Sequence, residues 1–253
     1  MTGGNFTFRR FTIQQEHCAM KVGTDGVLLG AWANGGKHIL DIGTGTGLIA
    51  LMMAQRHNEA IIKAVEIDHE AAIQANDNIA CSPFTGRIDV LETPIQLFKP
   101  DNKFDSIVSN PPFFTDSLKN PDQQRATARH ADTLPYRELF RSVSSLLADD
   151  GEFSAVIPAD CLATFVSEAY LAKLAISRQC SIRTTPRKQP KRYLVAFRHY
   201  ESTFIRETEE QCLMNADGTR SEWYDMLTKD FYIKQTWLAF LLLLFVLVFT
   251  KIT

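Results

Sequence analysis

The sequence has few cysteines, and they are not arranged for metal binding or for a disulfide framework. Five cysteines are spread over 253 residues, at positions 18, 81, 161, 180 and 212, and none form a CxxC pair. They also make no plausible zinc set with the six histidines. Isolated cysteines of this kind are typical of reduced, mostly buried thiols in a cytosolic protein. We therefore expect no metal site and a cytoplasmic location.

The chain also lacks a strong net charge and a secretion signal. Its 27 lysines and arginines nearly balance 29 acidic residues, which leaves a net charge of -2. This balance gives no global attraction to nucleic acid, so any RNA binding must come from a local patch. The amino terminus has neither the apolar core nor the cleavage site of a signal peptide. No stable protein partner is predicted.

A strand, a glycine-rich turn and a helix follow one another near the start of the chain. The apolar run from His38 to Ile42 is broken by Gly43-Thr44-Gly45-Thr46-Gly47, and Leu48 to Gln55 has helical character. This succession opens a nucleotide-binding α/β unit. The spacing GxGxG differs from the GxGxxG of dinucleotide-binding proteins, and the turn has no lysine placed to bind phosphate. An NTP-binding loop is therefore not expected.

The later strands predict the rest of the sheet. Buried strands end at Glu66, Leu91, Ser109 and Ile157, helices are predicted over 69–80, 135–147 and 161–173, and a last strand pair covers 175–182 and 193–197. We expect an α/β fold, with a doubly wound, mostly parallel sheet and an antiparallel carboxyl-terminal strand pair. Glu66 follows Gly47 by 19 residues, where a carboxylate can accept hydrogen bonds from both ribose hydroxyls.

The domain boundaries follow from these patterns. Residues 1–36 are predicted to pack on the core as a strand and a helix, because Phe6, Phe8 and Phe11 alternate with polar or basic residues. Residues 37–233 form the main domain. Residues 234–253 are an apolar tail of uncertain status, with thirteen consecutive apolar residues over 237–249. A spanning helix needs about 20 such residues, so the tail is interpreted as a weak membrane-associated segment, as a helix that packs on the domain or a partner, or as a reading-frame artefact, and no function is expected of it.

A stiff corner follows the fourth strand of the main domain. Asn110-Pro111-Pro112-Phe113 combines one amide side chain, two prolines that cannot donate hydrogen bonds, and an aromatic ring. Such a corner can accept the two N–H hydrogens of a flat amino group while the ring stacks on its face. In open α/β sheets, ligands bind at the carboxyl ends of the strands, where this corner falls.

The glycine turn, Glu66 and the Asn-Pro-Pro-aromatic corner together resemble the class I S-adenosylmethionine-dependent methyltransferases. The resemblance implies that Asp41, Gly43, Gly45 and Gly47 contact the cofactor and that Glu66 binds its ribose. It also implies that Asn110, Pro111, Pro112 and Phe113 form the catalytic corner. Members with this corner methylate adenine N6 or the side-chain amide of glutamine in proteins.

A second resemblance is narrower. The run Met20 to Trp32 (MKVGTDGVLLGAW) and the run Thr228 to Tyr232 (TKDFY) are similar to those of the bacterial tRNA(Val) adenine-37 N6-methyltransferases. The similarity covers about residues 5–233 and implies that Lys21 and Asp25 close over the cofactor. The sequence departs from that family after the third strand, where Pro94 replaces the usual acid that reads the cofactor's adenine. Either Glu92 or a backbone carbonyl is expected to take this role.

Local basic clusters are the candidate RNA contacts. One lies in the stretch with Arg125 and Arg129. The other runs from Arg183 to Arg192, carries no acidic residue, and supplies Arg183, Arg187, Lys188, Lys191 and Arg192. The sequence thus favours a tRNA (adenine-N6)-methyltransferase that uses S-adenosyl-L-methionine. A protein glutamine N5-methyltransferase and a non-catalytic RNA-binding module on the same fold remain alternatives.

Overall fold

A computed structural model describes residues 4–16, 21–112 and 134–233. Three predictions fall outside these ranges and are not addressed by it. They are the stacking ring Phe113, the RNA contacts Arg125 and Arg129, and the apolar tail over 237–249.

The described residues form an alternating series of strands and helices. The strands are Phe6–Thr7 (β1), Thr12–Ile13 (β2), His38–Ile42 (β3), Ile61–Glu66 (β4), Ile88–Glu92 (β5), Phe104–Ser109 (β6), Leu147–Pro158 (β7), Leu174–Arg183 (β8), Arg192–His199 (β9) and Glu207–Cys212 (β10). The α-helices are Thr24–Trp32 (α1), Leu48–Arg56 (α2), His69–Ala80 (α3), Tyr136–Leu146 (α4), Leu162–Leu171 (α5) and Glu222–Thr228 (α6).

Eight strands form one sheet in the order β10-β8-β9-β7-β6-β3-β4-β5. Strands β5, β4, β3, β6 and β7 are mutually parallel, while β9 runs antiparallel to both β7 and β8. The predicted α/β fold, with its doubly wound, mostly parallel sheet and antiparallel carboxyl-terminal pair, is therefore confirmed. The chain order reverses between β3 and β6, and open sheets of this type bind their ligands at such a point.

The sheet is covered on both faces, as its apolar strands require. Alternate residues of one strand enter different cores: Ile39 belongs to the cluster beneath α1, α2 and α3, and Leu40 to the cluster beneath α4 and α5. The bounds of α3 agree with the predicted helix over 69–80. Its start is fixed by Asp68, whose carboxylate accepts a hydrogen bond of 2.8 Å from the Ala71 nitrogen.

The amino-terminal segment is a short hairpin rather than the single half-buried strand predicted from Phe6, Phe8 and Phe11. Strands β1 and β2 pair antiparallel, and the turn between them buries both Phe8 and Phe11. The ring of Phe8 stacks on Tyr232 with centroids 5.9 Å apart, and the Arg9 nitrogen donates to the Phe231 carbonyl at 2.8 Å. The two ends of the described chain therefore pack together.

Strand β10 and helix α6 were not predicted. The β10 sequence ETEEQC is polar, and the strand forms because it pairs in parallel with the edge strand β8. Among the described helices, none is long and apolar enough to cross a membrane.

Candidate active site at the carboxyl edge of the sheet

The glycine turn after β3 has a backbone that only glycine adopts without strain. Gly43, Gly45 and Gly47 have φ angles of +69°, +55° and +79°. The nitrogens of Gly43 and Thr44 both donate to the Val65 carbonyl, at 2.9 and 3.1 Å. A Cβ added at Gly43 or Gly45 would meet no atom within 4 Å, so both positions face open space. The turn is thus a bare backbone surface that a ligand can approach closely.

Asp41 lies beneath this turn and is fully buried. Its Oδ2 accepts hydrogen bonds from the Thr44 hydroxyl at 2.6 Å and from the Ala50 nitrogen at 3.1 Å. Its Oδ1 finds no hydrogen-bond partner among the residues that the structure describes. Burial raises the pKa of Asp41 to about 7, although the two hydrogen bonds act in the opposite direction. The carboxylate therefore braces the glycine turn against the start of α2.

Glu66, at the end of β4, reaches across to the same turn. Its Oε2 accepts a hydrogen bond of 2.8 Å from the Gly45 nitrogen, while Oε1 accepts from the nitrogens of Ile67 and Asp68 at 2.9 and 3.1 Å. Only 9% of the residue is exposed. Three backbone donors thus fix the carboxylate beside the glycine turn, at the carboxyl edge of the sheet, and this place is called the crevice below. Carboxylate oxygens have further lone pairs for an incoming hydroxyl group.

Four predicted site residues form a row across neighbouring strands. Ile42 pairs with Val65 on one side and Ser109 on the other, so Gly43 lies level with Glu66 and Asn110. Glu66 pairs in turn with Glu92 on β5. Since adjacent strands are about 4.8 Å apart, the row from Asn110 to Glu92 spans about 14 Å. The structure therefore brings the glycine turn, both acids and the amide corner to one edge of the sheet.

The corner itself begins directly after β6. The Ser109 hydroxyl donates to the Ile42 carbonyl at 2.9 Å, which ties the end of β6 to the start of the glycine turn. Asn110 is partly buried, Pro111 is buried and Pro112 is exposed. The prolines end the strand because they have no N–H to continue the sheet. Asn110 is thus held at the mouth of the crevice, next to Gly43.

Glu92 at the far end of the row is paired with His69, the first residue of α3. The His69 Nδ1 lies 2.8 Å from Glu92 Oε2, and both side chains are mostly exposed. Hydrogen bonding to Glu92 and its negative charge raise the pKa of His69. Pro94 directly precedes a short 3-10 turn over 95–97.

Asp25 and Arg192, for which sequence predicted different roles, contact each other. Arg192 Nη1 lies 2.8 Å from Asp25 Oδ1, although without the geometry of an aligned hydrogen bond. Both side chains are mostly buried, with 23% of Arg192 and 32% of Asp25 exposed. Burial raises the pKa of Asp25, and the charge of Arg192 partly offsets this rise. Lys21, three residues before α1, is exposed.

The basic residues of the segment over 183–192 differ in their surroundings, because some are paired with carboxylates and others are exposed. We expected no acid to neutralise it, and this was wrong, because the fold brings carboxylates from other elements. Arg183 forms an ion pair with Glu210 of β10, as Arg192 does with Asp25. The remaining cations of the segment are exposed, and they are Arg187, Lys188 and Lys191. These three residues lie in the connection between strands β8 and β9 and are called the hairpin-tip cations below.

Sequence reasoning missed two buried amides, Asn78, which joins the amino-terminal segment to the glycine turn, and Gln15, which bonds within that segment. The Asn78 side chain donates to the Thr46 carbonyl in the glycine turn and to the Gln14 carbonyl, both at 2.9 Å. Gln15 accepts from the Val22 nitrogen at 2.7 Å. The contacts of Asn78 leave no local signal in the sequence, because its partners lie 32 and 64 residues away. In the described ranges, no cluster of His, Cys, Asp or Glu could hold a metal ion.

Comparison with known proteins agrees with this geometry. The family model of the methyltransferase small domain matches residues 23–161. A tRNA1(Val) (adenine(37)-N6)-methyltransferase of Bacteroides fragilis is 49% identical over 237 residues, which cover 90% of this chain and 98% of that protein.

Solved structures show the same fold at low identity. A predicted O-methyltransferase, protein Atu636 from Agrobacterium tumefaciens, has a TM-score of 0.65 at 20% identity and covers 82% of this chain and 96% of its own. The glycopeptide N-methyltransferase MtfA complexed with S-adenosyl-L-methionine has a TM-score of 0.52 at 13% identity, and the match covers 71% of this chain and 100% of its own.

Proposed function

This chain belongs to the family of tRNA1(Val) (adenine(37)-N6)-methyltransferases, and we propose that it methylates N6 of adenine 37 in a valine tRNA, in the cytoplasm. The observation that supports this most is the row at the edge of the sheet. It sets the amide corner at Asn110 beside the glycine turn and level with Glu66.

The residues of this row fit S-adenosyl-L-methionine as the cofactor. The open positions at Gly43 and Gly45 leave room for a ligand against the backbone, and Glu66 holds a carboxylate ready for two ribose hydroxyls. Glu92 lies one strand further, where the base of an extended nucleoside would reach. The cofactor, when bound, supplies an already activated methyl group, so the protein needs neither a metal nor a covalent nucleophile.

The role of the corner is to orient the amino group. An exocyclic adenine nitrogen is a poor nucleophile because its lone pair is delocalised into the ring. In our proposal, Asn110 Oδ1 and the Pro111 carbonyl each accept one N–H, which turns the lone pair toward the methyl donor. Phe113, outside the described residues, is proposed to stack on the base and fix its plane.

The hairpin-tip cations are the proposed tRNA phosphate contacts. Arg187, Lys188 and Lys191 are exposed and lie on a segment that contains no acid of its own. Arg125 and Arg129 are proposed as further contacts. Phosphate contacts supply much of the affinity of a nucleic-acid complex, and these three exposed cations are available for such contacts.

A labelling experiment tests the proposal. The protein is incubated with methyl-labelled cofactor and, separately, with a valine tRNA transcript, the same transcript with guanine at position 37, and a protein extract. We expect label only in the first transcript, as N6-methyladenosine after nucleoside digestion. Label in a glutamine residue of the extract would favour the alternative acceptor instead.

The corner is tested by the variant Asn110→Ala. We expect it to bind the cofactor normally and to lose methyl transfer, because the amino group is no longer oriented. Asn102→Ala is a matched control, since Asn102 is an exposed asparagine just before the other end of β6. Transfer by Asn110→Ala at close to the normal rate would refute the proposed role of the corner.

A further inference from the structure

The ion pair between Asp25 and Arg192 lies at the carboxyl edge of the sheet. Arg192 pairs with Pro158 of β7, and Ala155 of the same strand pairs with Ser109 of β6. Pro158 is three residues beyond Ala155, which is about 10 Å along a strand. Arg192 therefore lies beyond the carboxyl end of β6, at the same edge of the sheet as Asn110.

Arg192 starts from a rigid position. It is the first residue of β9 and is paired with Pro158 of β7 on one side and Ile182 of β8 on the other. The residue before it is held on both sides too. Lys191 donates its nitrogen to the Ile182 carbonyl and accepts from the Ala159 nitrogen, each at 3.0 Å. Because the backbone is held on both sides, the Arg192 side chain extends from a well-fixed position.

Asp25 lies on a helix that begins beside the glycine turn. A Cβ added at Gly26 would approach Leu48, the first residue of α2, to 3.0 Å, and one added at Gly30 would contact Met52. Since the second pair is four residues further along each helix than the first, α1 and α2 run side by side in the same direction. The amino-terminal end of α1 thus lies next to the amino-terminal end of α2, where the glycine turn ends at Gly47.

Among the described residues just before α1, Val22 packs against the core, and side-chain hydrogen bonds are few. The first residue of α1 is preceded by Gly23, which makes no side-chain cap. Val22 is held by the Gln15 side chain through one hydrogen bond of 2.7 Å. The ion pair from Asp25 to Arg192 is therefore a polar link between the start of α1 and the sheet, beside the apolar packing of Gly26 to Trp32 in the core.

We infer that Arg192 is a positioning residue of the cofactor crevice and not an RNA contact. Its guanidinium holds Asp25, and with it the start of α1, in place beside the glycine turn. The role differs from that of the hairpin-tip cations on the same segment, which are exposed and have no carboxylate of another element against them in the described structure. This inference rests on the proposed function, because it assigns Arg192 to the cofactor of that reaction.

The variants Arg192→Gln and Asp25→Asn, and the double variant, test the inference. Loss of the ion pair releases the start of α1, and we expect each single variant to bind cofactor about fivefold more weakly, which corresponds to roughly 1 kcal/mol. The double variant should bind no more weakly than either single one, because all three variants remove the same ion pair. The KM for cofactor should rise in Arg192→Gln, while the KM for tRNA stays at the value of the unmodified protein.

Binding of tRNA separates this role from an RNA contact. The salt dependence of tRNA affinity should be the same in Arg192→Gln and in the unmodified protein. It should become weaker when the hairpin-tip cations are replaced with glutamine. Lys103→Gln is a matched control, because it breaks an ion pair with Asp149 (3.3 Å) at the opposite end of β6. This control should leave cofactor affinity unchanged.

Two results would overturn the inference. One is unchanged cofactor affinity in Arg192→Gln, and the other is a double variant that is weaker by the product of the single effects. If Arg192→Gln folds poorly, Arg192→Lys keeps a cation at this place and should recover part of the cofactor affinity. Absence of cofactor binding by the unmodified protein would instead refute the proposed function, so the two failures are distinguishable.

Discussion

The buried carboxyl group of Asp41 makes the stability of this protein depend on pH in a way that one substitution should remove. Burial raises its pKa from the ordinary value of 3.8 to about 7. The unfolded chain therefore loses its proton at lower pH than the folded chain. The contribution of Asp41 to stability is complete below about pH 4 and is lost as the pH rises through 7.

The size of the effect follows from the two pKa values. The rise from 3.8 to about 7 lowers the free energy of unfolding, relative to its value at low pH, by about 4 kcal/mol at pH 8 and about 2 kcal/mol at pH 5. In Asp41→Asn, the side-chain oxygen can still accept from Thr44 and Ala50. The new amide nitrogen takes the place of Oδ1, which has no hydrogen-bond partner among the described residues, and burying it unpaired costs about 1–3 kcal/mol.

The assay is denaturant-induced unfolding of both proteins at a series of pH values from 5 to 8. The free energy of unfolding of Asp41→Asn, relative to the unmodified protein, should rise by about 3 kcal/mol across this range. Asp41→Ala serves as the control. Its free energy of unfolding should change with pH in the same way as that of Asp41→Asn. At every pH it should be lower than that of Asp41→Asn, because Thr44 and Ala50 lose their hydrogen-bond acceptor. Parallel pH curves for Asp41→Asn and the unmodified protein would refute the reasoning.

Further predictions concern the crevice and the hairpin tip. Gly45→Ala should lower the free energy of unfolding by about 1–2 kcal/mol, because alanine is strained at a φ of +55°, and should weaken cofactor binding in calorimetry. Glu66→Gln should weaken cofactor binding by about tenfold or more, because a neutral amide cannot accept from all three backbone nitrogens and from a ribose. Replacing Arg187, Lys188 and Lys191 with glutamine should reduce the salt slope of tRNA binding by about 1 for each phosphate that is no longer neutralised.

Asp105→Asn is a suitable control for Glu66→Gln. The Asp105 carboxylate accepts from the nitrogens of Lys37 and His38, at 2.7 and 2.9 Å, but at the opposite end of the sheet. It should reduce stability without changing cofactor affinity. Equal cofactor affinity in Glu66→Gln and the unmodified protein would contradict the role of Glu66.

The parts of this protein that sequence predicted well are those with local causes. The run from Phe104 to Ser109 carries apolar and β-branched residues and is followed, after Asn110, by two prolines, so both the strand and its corner could be placed. The glycine turn was recognisable because three glycines at GxGxG spacing interrupt an apolar strand before a helix. The row of site residues followed from the rule that parallel strands expose their carboxyl ends at one edge.

The parts that sequence missed depend on partners far along the chain. Strand β10 has a polar sequence and forms only because β8 offers a free edge. Arg183 and Arg192 looked equivalent to their neighbours, but Glu210 and Asp25 neutralise them in the folded chain. Asn78 gave no signal, because a buried amide in a helix is only informative once its partners are known.

The packing of the two ends of the described chain against each other has a consequence for the order of folding. Phe8 packs on Tyr232, so the β1–β2 hairpin cannot complete its packing before Tyr232 has been synthesised. The same amino-terminal segment is tied through Asn78 to the glycine turn. The support that this segment gives to the methyl-donor crevice is therefore complete only once Tyr232 is present.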